Sequence, residues 1–213
     1  MKTEYTKLRT KMLGIVEGLA LADDSYSELR NLISFAERVH CGIRKDYTPE
    51  FSHQLEMLAL ALTFHESLQN PLAVYMAVVA HDLIEDYPGF EEELESKFST
   101  VRQYSKNLAK SPDYVMYAMG EDDTPTYHQY FDVVSRCEVC SVVKLIDRVH
   151  NLSTAPGVFS TEKIMKYCDE VDTYFYDLIR NAKTLHNQRT VYETLKFMLK
   201  TQVHTIRTLT KGS

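Results

Sequence analysis

A ten-residue run, Pro71-Leu72-Ala73-Val74-Tyr75-Met76-Ala77-Val78-Val79-Ala80, is nearly all apolar and leads straight into His81-Asp82-Leu83-Ile84-Glu85-Asp86. A helix that is apolar all round has no solvent face, so it belongs at the centre of a fold and other elements must surround it. Ionisable groups at its end then emerge from the core, where each needs a partner or a metal ion. Continued as one helix over 71–86, the run turns about 100° per residue, which puts His81 and Glu85 on one stripe and Asp82 and Asp86 on the next. The spacing predicts that all four side chains leave one helical face.

The helical period recurs along the chain. Apolar residues fall at three- and four-residue steps, as in Leu29, Leu32, Ile33, Ala36 and Val39 and again in Leu55, Leu58, Ala59 and Leu62, and nothing alternates as a strand would. Six prolines, at 49, 71, 88, 112, 125 and 156, stand where helices begin or end, and glycine occurs only seven times, which leaves helix interiors intact. The expected fold is all-α, with helices near 3–20, 26–42, 51–68, 71–86, 90–98, 126–153, 161–183 and 187–209. Two shorter helices and a loop are expected in 99–125, with Ser111-Pro112-Asp113 as cap and turn and Gly120-Glu121-Asp122-Asp123-Thr124-Pro125 as an acidic breaker. A chain of 213 residues without repeats or Gly/Ser linkers suits one domain over 1–213, its motif-bearing core near 26–183. The helix near 187–209 carries Val191, Leu195, Met198, Leu199, Val203 and Ile206 as an apolar stripe and reads as a packed terminal helix.

Charge narrows the function classes. With 24 basic and 30 acidic side chains the net charge is -6, so there is no general electrostatic case for nucleic acid or an acidic membrane as partner. An anionic substrate must be met by local cations, and Arg44, Lys45, Lys144 and Arg148 are the candidates. No stretch approaches the roughly 18 apolar residues of a membrane span, and Met1-Lys2-Thr3-Glu4-Tyr5 has no signal pattern, so a cytoplasmic location is expected. Cys41, Cys137, Cys140 and Cys168 fit that compartment as free thiols. Cys137-Glu138-Val139-Cys140 has the spacing of zinc or redox motifs, but with no second such pair and within a helical pattern it reads as core packing.

Three separated segments carry the chemistry. The first is the His81 to Asp86 run; the second is Lys144-Leu145-Ile146-Asp147-Arg148-Val149-His150-Asn151-Leu152-Ser153-Thr154, where Asp147, Asn151 and Thr154 share a face while Leu145, Val149 and Leu152 point into the core. The third is the polar loop Arg44-Lys45-Asp46-Tyr47-Thr48-Pro49-Glu50-Phe51-Ser52-His53. Imidazoles from His53 and His81 with carboxylates from Asp82 and Asp147 make a two-His, two-carboxylate set for one divalent ion, and Mn²⁺, Fe²⁺, Zn²⁺ and Mg²⁺ all accept such donors. Glu85 and Asp86 lie about 6 Å further along the helix, close enough for proton transfer to a water or leaving oxygen, as a coupled pair of which one acts as acid.

In this order the residues resemble the HD-domain phosphohydrolases, which are all-helical metal-dependent enzymes. Ala36-x-x-Val39-His40-x-x-Ile43-Arg44-Lys45-Asp46, His81-Asp82-x-x-Glu85-Asp86 and Lys144-Leu145-x-Asp147-Arg148-x-His150-Asn151 are similar to the hydrolase half of the RelA/SpoT proteins and to their stand-alone small alarmone hydrolases, over roughly residues 30 to 155. The resemblance implies an HD-type helical bundle that removes the 3′-pyrophosphate from guanosine tetra- and pentaphosphate (ppGpp and pppGpp), usually with Mn²⁺. It implies His53, His81, Asp82 and Asp147 as metal ligands and Glu85 and Asp86 as the catalytic acidic pair. For the guanine nucleotide it implies Arg44, stacked on the base, with Lys45, Asn151 and Thr154 as further contacts. Where the family often has a small pair after Arg-Lys, a Pro after the first ligand His and a Thr after Glu-Asp, this chain has Asp46-Tyr47, Gln54 and Tyr87. Asp46 and Tyr47 border the implied base pocket. Competing readings are an HD phosphatase for NADPH, an adenine alarmone or a deoxynucleotide, and a non-catalytic module that binds a nucleotide or partner. Oligomeric state is not legible in the sequence.

Overall fold

A computed structural model describes residues 2–110 and 127–211. Among them the chain is helical throughout with no strand, only an isolated bridge pairing Ile43 with Pro49. The helices are α1 (Lys2–Ala22), α2 (Ser27–Val39), α3 (Ser52–Leu62), α4 (Pro71–Ala80), α5 (Leu83–Asp86), α6 (Glu91–Lys97), α7 (Ser99–Leu108), α8 (Tyr127–Ser135), α9 (Glu138–Thr154), α10 (Thr161–Glu170), α11 (Tyr176–Leu185) and α12 (Arg189–Lys211). The expected cap at Ser111-Pro112-Asp113, the acidic breaker and the second short helix before 125 lie outside the described residues.

The apolar run forms the central helix. Asn70 caps α4 by accepting from the Ala73 amide at 3.2 Å, and Pro71 takes the first helical position, where its missing N–H costs nothing. Every residue from Val74 to Ala80 is buried, and α2, α3, α7 and α9 all pack on α4. Each fully buried Val or Met there contributes about 1.5–3 kcal/mol, so this helix is the chief anchor of the core. The stripe on α12 is buried at Val191, Leu195, Leu199, Val203 and Ile206 against α9, with Met198 at its edge. Polar groups lock that contact: the Tyr192 and Ser141 hydroxyls lie 2.8 Å apart, and Gln188 Nε2 donates to the Glu138 carbonyl at 2.7 Å.

Two expected long helices are broken. The segment 71–86 leaves helical geometry at Asp82 (φ −96°, ψ −2°), the bridge conformation of a turn, so α5 is a separate single turn set off from α4. The segment 126–153 breaks before α9, because Cys137 adopts an extended conformation (φ −99°, ψ 118°) and its sulfur accepts from the Cys140 amide at 3.1 Å, capping the helix. The segment 161–183 stays helical but passes through a π-helical turn, Val171–Phe175, between α10 and α11.

Candidate metal centre

The four expected ligands converge from three helices. His53 sits in the first turn of α3, His81 and Asp82 in the turn that ends α4, and Asp147 halfway along α9. His81 Nε2 lies 2.8 Å from Asp82 Oδ2 and 3.9 Å from Asp147 Oδ1; His53 Nε2 lies 3.3 Å from His81 Nε2, 3.5 Å from Asp147 Oδ1 and 3.9 Å from Asp82 Oδ2. Ligands bonded to one ion at about 2.0–2.2 Å stand about 3.0–3.5 Å from one another, so these atoms are close to the spacing of a coordination shell. Both imidazoles and Asp147 are buried, whereas the Asp82 side chain is 32% exposed and forms the open side. The cluster can hold a metal ion.

The tautomers are set by neighbours. His81 Nδ1 donates to the Val78 carbonyl at 2.9 Å, which leaves Nε2 facing the cluster. His53 Nδ1 lies 2.9 Å from His150 Nδ1, and His150 Nε2 lies 2.6 Å from Glu56 Oε2. With His150 Nε2 donating to the Glu56 carboxylate and its Nδ1 accepting from His53 Nδ1–H, the His53 Nε2 lone pair turns inward. Sequence reading missed Glu56 and the role of His150, because the relay joins α3 to α9 and has no spacing of its own. We expect His150→Ala to weaken Mn²⁺ binding by about 10–100-fold and Glu56→Ala by about tenfold, read by calorimetric titration. Unchanged affinity in both variants would remove the relay from the account.

Charge is concentrated here. Burial pushes the His53 ring down, against the opposing pull of Asp147. Burial also lowers His81, but the neighbouring Asp82 and Asp147 carboxylates outweigh it and raise the ring to about 9. Asp147 is disfavoured by burial, yet the neighbouring His53 ring, then the charges of Lys144 and His81, hold it far below the usual carboxylate range. Because His81 carries a proton in the metal-free state at neutral pH, an incoming ion must displace it. We therefore expect Mn²⁺ affinity to rise about tenfold per pH unit between about 6.5 and 9 and then level off, with a proton released on binding in calorimetry. The metal-free fold behaves oppositely: the stability from His81 is full below about 6.5 and is lost as pH rises through about 9.

The neighbouring residues divide between those that face the cluster or solvent and those packed into the core. Asn151 Nδ2 donates to Asp147 Oδ1 at 2.6 Å, so it orients the carboxylate. Lys144 Nζ is buried 3.9 Å from Asp147 Oδ2 and 5.6 Å from the centre of the Tyr130 ring. Arg148 is withdrawn from the role of an anion-meeting cation: it is buried, pairs with Glu170 and lies over the Tyr167 and Phe175 rings at 4.6 and 4.9 Å. Glu85 and Asp86 are exposed on α5, and Glu85 Oε2 accepts from the Lys110 amide at 3.2 Å. Partial loss of solvation, then the charges of Asp82, Glu85 and Glu50, raise Asp86 to about 6.

The Arg44 loop is pinned beside this rim. Arg44 N–H donates to the Thr48 carbonyl at 2.9 Å and Tyr47 N–H to the Arg44 carbonyl at 2.9 Å, with Tyr47 at a positive φ of 66°. Glu50 ties the loop to α5, accepting from the Tyr87 hydroxyl at 2.5 Å and the Gly42 amide at 3.2 Å. A Cβ on Gly42 would stand 2.7 Å from Glu50 Oε2, so a side chain there would displace the carboxylate that holds the loop. Arg44, Lys45 and Thr154 line one pocket of about 190 Å³ with Asp46, Val158, Phe159 and Lys163. Lys45 and Lys163 stand 5.1 and 4.0 Å from the centre of the Phe159 ring. Thr154 lies seven residues beyond Asp147 on α9, about 10 Å along its axis, so pocket and cluster are joined by one helix. Among the described residues no helix is long and apolar enough to cross a membrane. No protein-family model matches this chain, and no curated protein matches it significantly.

Proposed function

We propose that this chain is a Mn²⁺-dependent 3′-pyrophosphohydrolase of guanosine tetra- and pentaphosphate, of the kind its motifs resemble in the RelA/SpoT hydrolase branch. The observation that carries the reading is the convergence of His53, His81, Asp82 and Asp147 on one half-open cluster, beside an acidic pair and a basic, aromatic pocket. A divalent ion held by those four residues supplies a Lewis acid that lowers the pKa of water and offsets charge on the phosphoryl oxygens. The remaining work falls to the chain's own groups. Asp86, titrating near 6, is ionised at neutral pH and suited to take the proton of water attacking the 3′-phosphate, while Glu85 one position away shuttles a proton to the departing 3′-oxygen. Arg44 offers a planar guanidinium for stacking on the base, and Lys45 and Lys163 meet phosphate charge that the net-negative chain would otherwise repel. The reaction is attack of water on the 3′-linked phosphorus and release of pyrophosphate, leaving GDP or GTP.

Purified protein with Mn²⁺ and ppGpp is expected to yield GDP and pyrophosphate; binding without turnover would overturn the hydrolase reading in favour of a nucleotide-binding module. Asp46 favours guanine among the bases. Its Oδ1 accepts from the Thr48 amide and hydroxyl at 2.9 and 2.6 Å, and these bonds with the charge of Arg44 hold the carboxyl low despite burial, so an ionised oxygen borders the pocket. A carboxylate pairs with the two N–H donors on the guanine edge, which adenine lacks. Asp46→Ala is expected to raise the KM for ppGpp about 10–100-fold and to erase preference over the adenine analogue, measured by competition. An unchanged preference would move base selection elsewhere.

A further inference from the structure

We propose that Cys137 and Cys140 form a thiol–disulfide exchange site at the head of α9, with Cys137 as the attacking sulfur and Cys140 as the resolving one, and a small-molecule disulfide as the reacting partner. The inference does not rest on the hydrolase reading. Its basis is the arrangement of the pair. Cys137 is the cap of a 17-residue helix, its sulfur 3.1 Å from the Cys140 amide, so the sulfur sits in the field of the exposed N–H groups of the first turn. Sulfur is an uncommon cap, and negative charge on it is favoured at this end of a helix. Cys137 is partly exposed, whereas Cys140 is fully buried. An accessible sulfur followed three residues later by a buried one is the division of labour that disulfide exchange requires. One helical turn also brings the two within bridging reach, since residues three apart have Cβ atoms about 5–6 Å apart and the extended cap residue can swing closer.

The electrostatics agree with the geometry. The Cys140 thiol and amide, followed by the Val139 amide, hold the Cys137 thiol below its ordinary value, while burial pushes Cys140 up. The groups that influence the pair from other elements are Tyr104 and Asn107 of α7 and Tyr192 of α12, with Glu138 from α9 itself. Among these named neighbours there is no cation, and the Cys140 thiol together with the first-turn amides is what favours the Cys137 thiolate.

The chemistry balances without another reagent. The Cys137 thiolate attacks one sulfur of a disulfide RSSR, forming a Cys137–SR bond as the S–S bond breaks and one RS⁻ leaves. Cys140 gives up its proton and attacks the Cys137 sulfur, forming the Cys137–Cys140 bond and expelling the second RS⁻. The two cysteines are oxidised, RSSR is reduced, and the two thiol protons end on two RSH.

Reduced full-length protein treated with oxidised glutathione tests this directly. Peptide mapping is expected to find a Cys137–Cys140 disulfide in the wild type and, in Cys140→Ser, a stable glutathione adduct on Cys137. Iodoacetamide at pH 7 should label Cys137 at least about tenfold faster than Cys41, although Cys41 is the more exposed thiol. Labelling of Cys41 first, or an adduct confined to Cys41 with no internal disulfide, would overturn the proposal. The wild-type labelling order stands whether or not the serine variant folds.

Discussion

Asp147→Asn is expected to lower Mn²⁺ affinity by at least about 10²–10³-fold and to bring the proposed alarmone hydrolysis to background. The magnitude follows from loss of an ionised ligand, since removing even an outer partner of a metal site costs about 10–100-fold. A stability loss should accompany it. Asp147 faces His53 at 3.5 Å, Lys144 at 3.9 Å and Asn151 at 2.6 Å, and Lys144 is itself buried. Deleting one member of a buried pair leaves the other charge uncompensated, at a cost of about 3–5 kcal/mol, so urea denaturation should show a lowered midpoint. Asp82→Asn should lower metal affinity comparably, and because Asp82 is the chief partner of the buried His81 ring at 2.8 Å, it too should lower the midpoint of the metal-free protein at neutral pH. Retained Mn²⁺ binding in either variant would contradict the assignment of that carboxylate as a ligand.

For the acidic pair the expected signature is the reverse: activity lost with the metal retained. Glu85→Gln should reduce kcat about 10²–10⁴-fold, the range for removal of a general acid or base, with Mn²⁺ affinity within about twofold of wild type. Its amide oxygen can still accept from the Lys110 N–H that now meets Glu85 Oε2 at 3.2 Å, so the fold has no reason to change. Asp86→Asn should lose turnover similarly while becoming no less stable. The reason lies in the sign of its shift. Asp86 is raised from 3.8 to about 6 by partial desolvation and by Asp82, Glu85 and Glu50, so the fold favours its protonated form, and the stability it lends declines as pH rises from about 4 to about 6. Asparagine removes that repulsion at neutral pH. The wild-type rate should rise with pH through about 6 as Asp86 ionises, and that limb should vanish in Asp86→Asn. A variant with normal kcat would take the residue out of the chemistry.

What could be read ahead of the structure followed from side chains that act through local spacing. The apolar run 71–80 could only be a central helix, and the stripes on α2, α3 and α12 needed no tertiary information. The cluster was legible because two histidines and two carboxylates, His81 and Asp82 adjacent in sequence, form a donor set suited to one divalent ion. Hidden were the features set by contacts between distant elements. Glu56 and His150 have ordinary positions on their own helices and meet only when α3 packs beside α9. Arg148 looked like a cation for substrate because the rings that cover it, Tyr167 and Phe175, belong to a later segment. The helix breaks at Asp82 and Cys137 carry no proline or glycine. One is a change of ψ at a residue that serves the cluster, and the other is a cap made by sulfur, a weak acceptor outside the usual cap residues. The resemblance places Asn151 at the nucleoside, and the contact that spacing could not rank is its bond to the Asp147 carboxylate one turn back.

The most direct measurement is the anomalous scattering of Mn²⁺ in crystals of the protein grown with the ion. The predicted result is one peak about 2.0–2.3 Å from His53 Nε2, His81 Nε2, Asp82 Oδ2 and Asp147 Oδ1, absent in Asp147→Asn. A peak elsewhere, or none among these four atoms at saturating Mn²⁺, would contradict the metal centre on which the proposed hydrolysis depends.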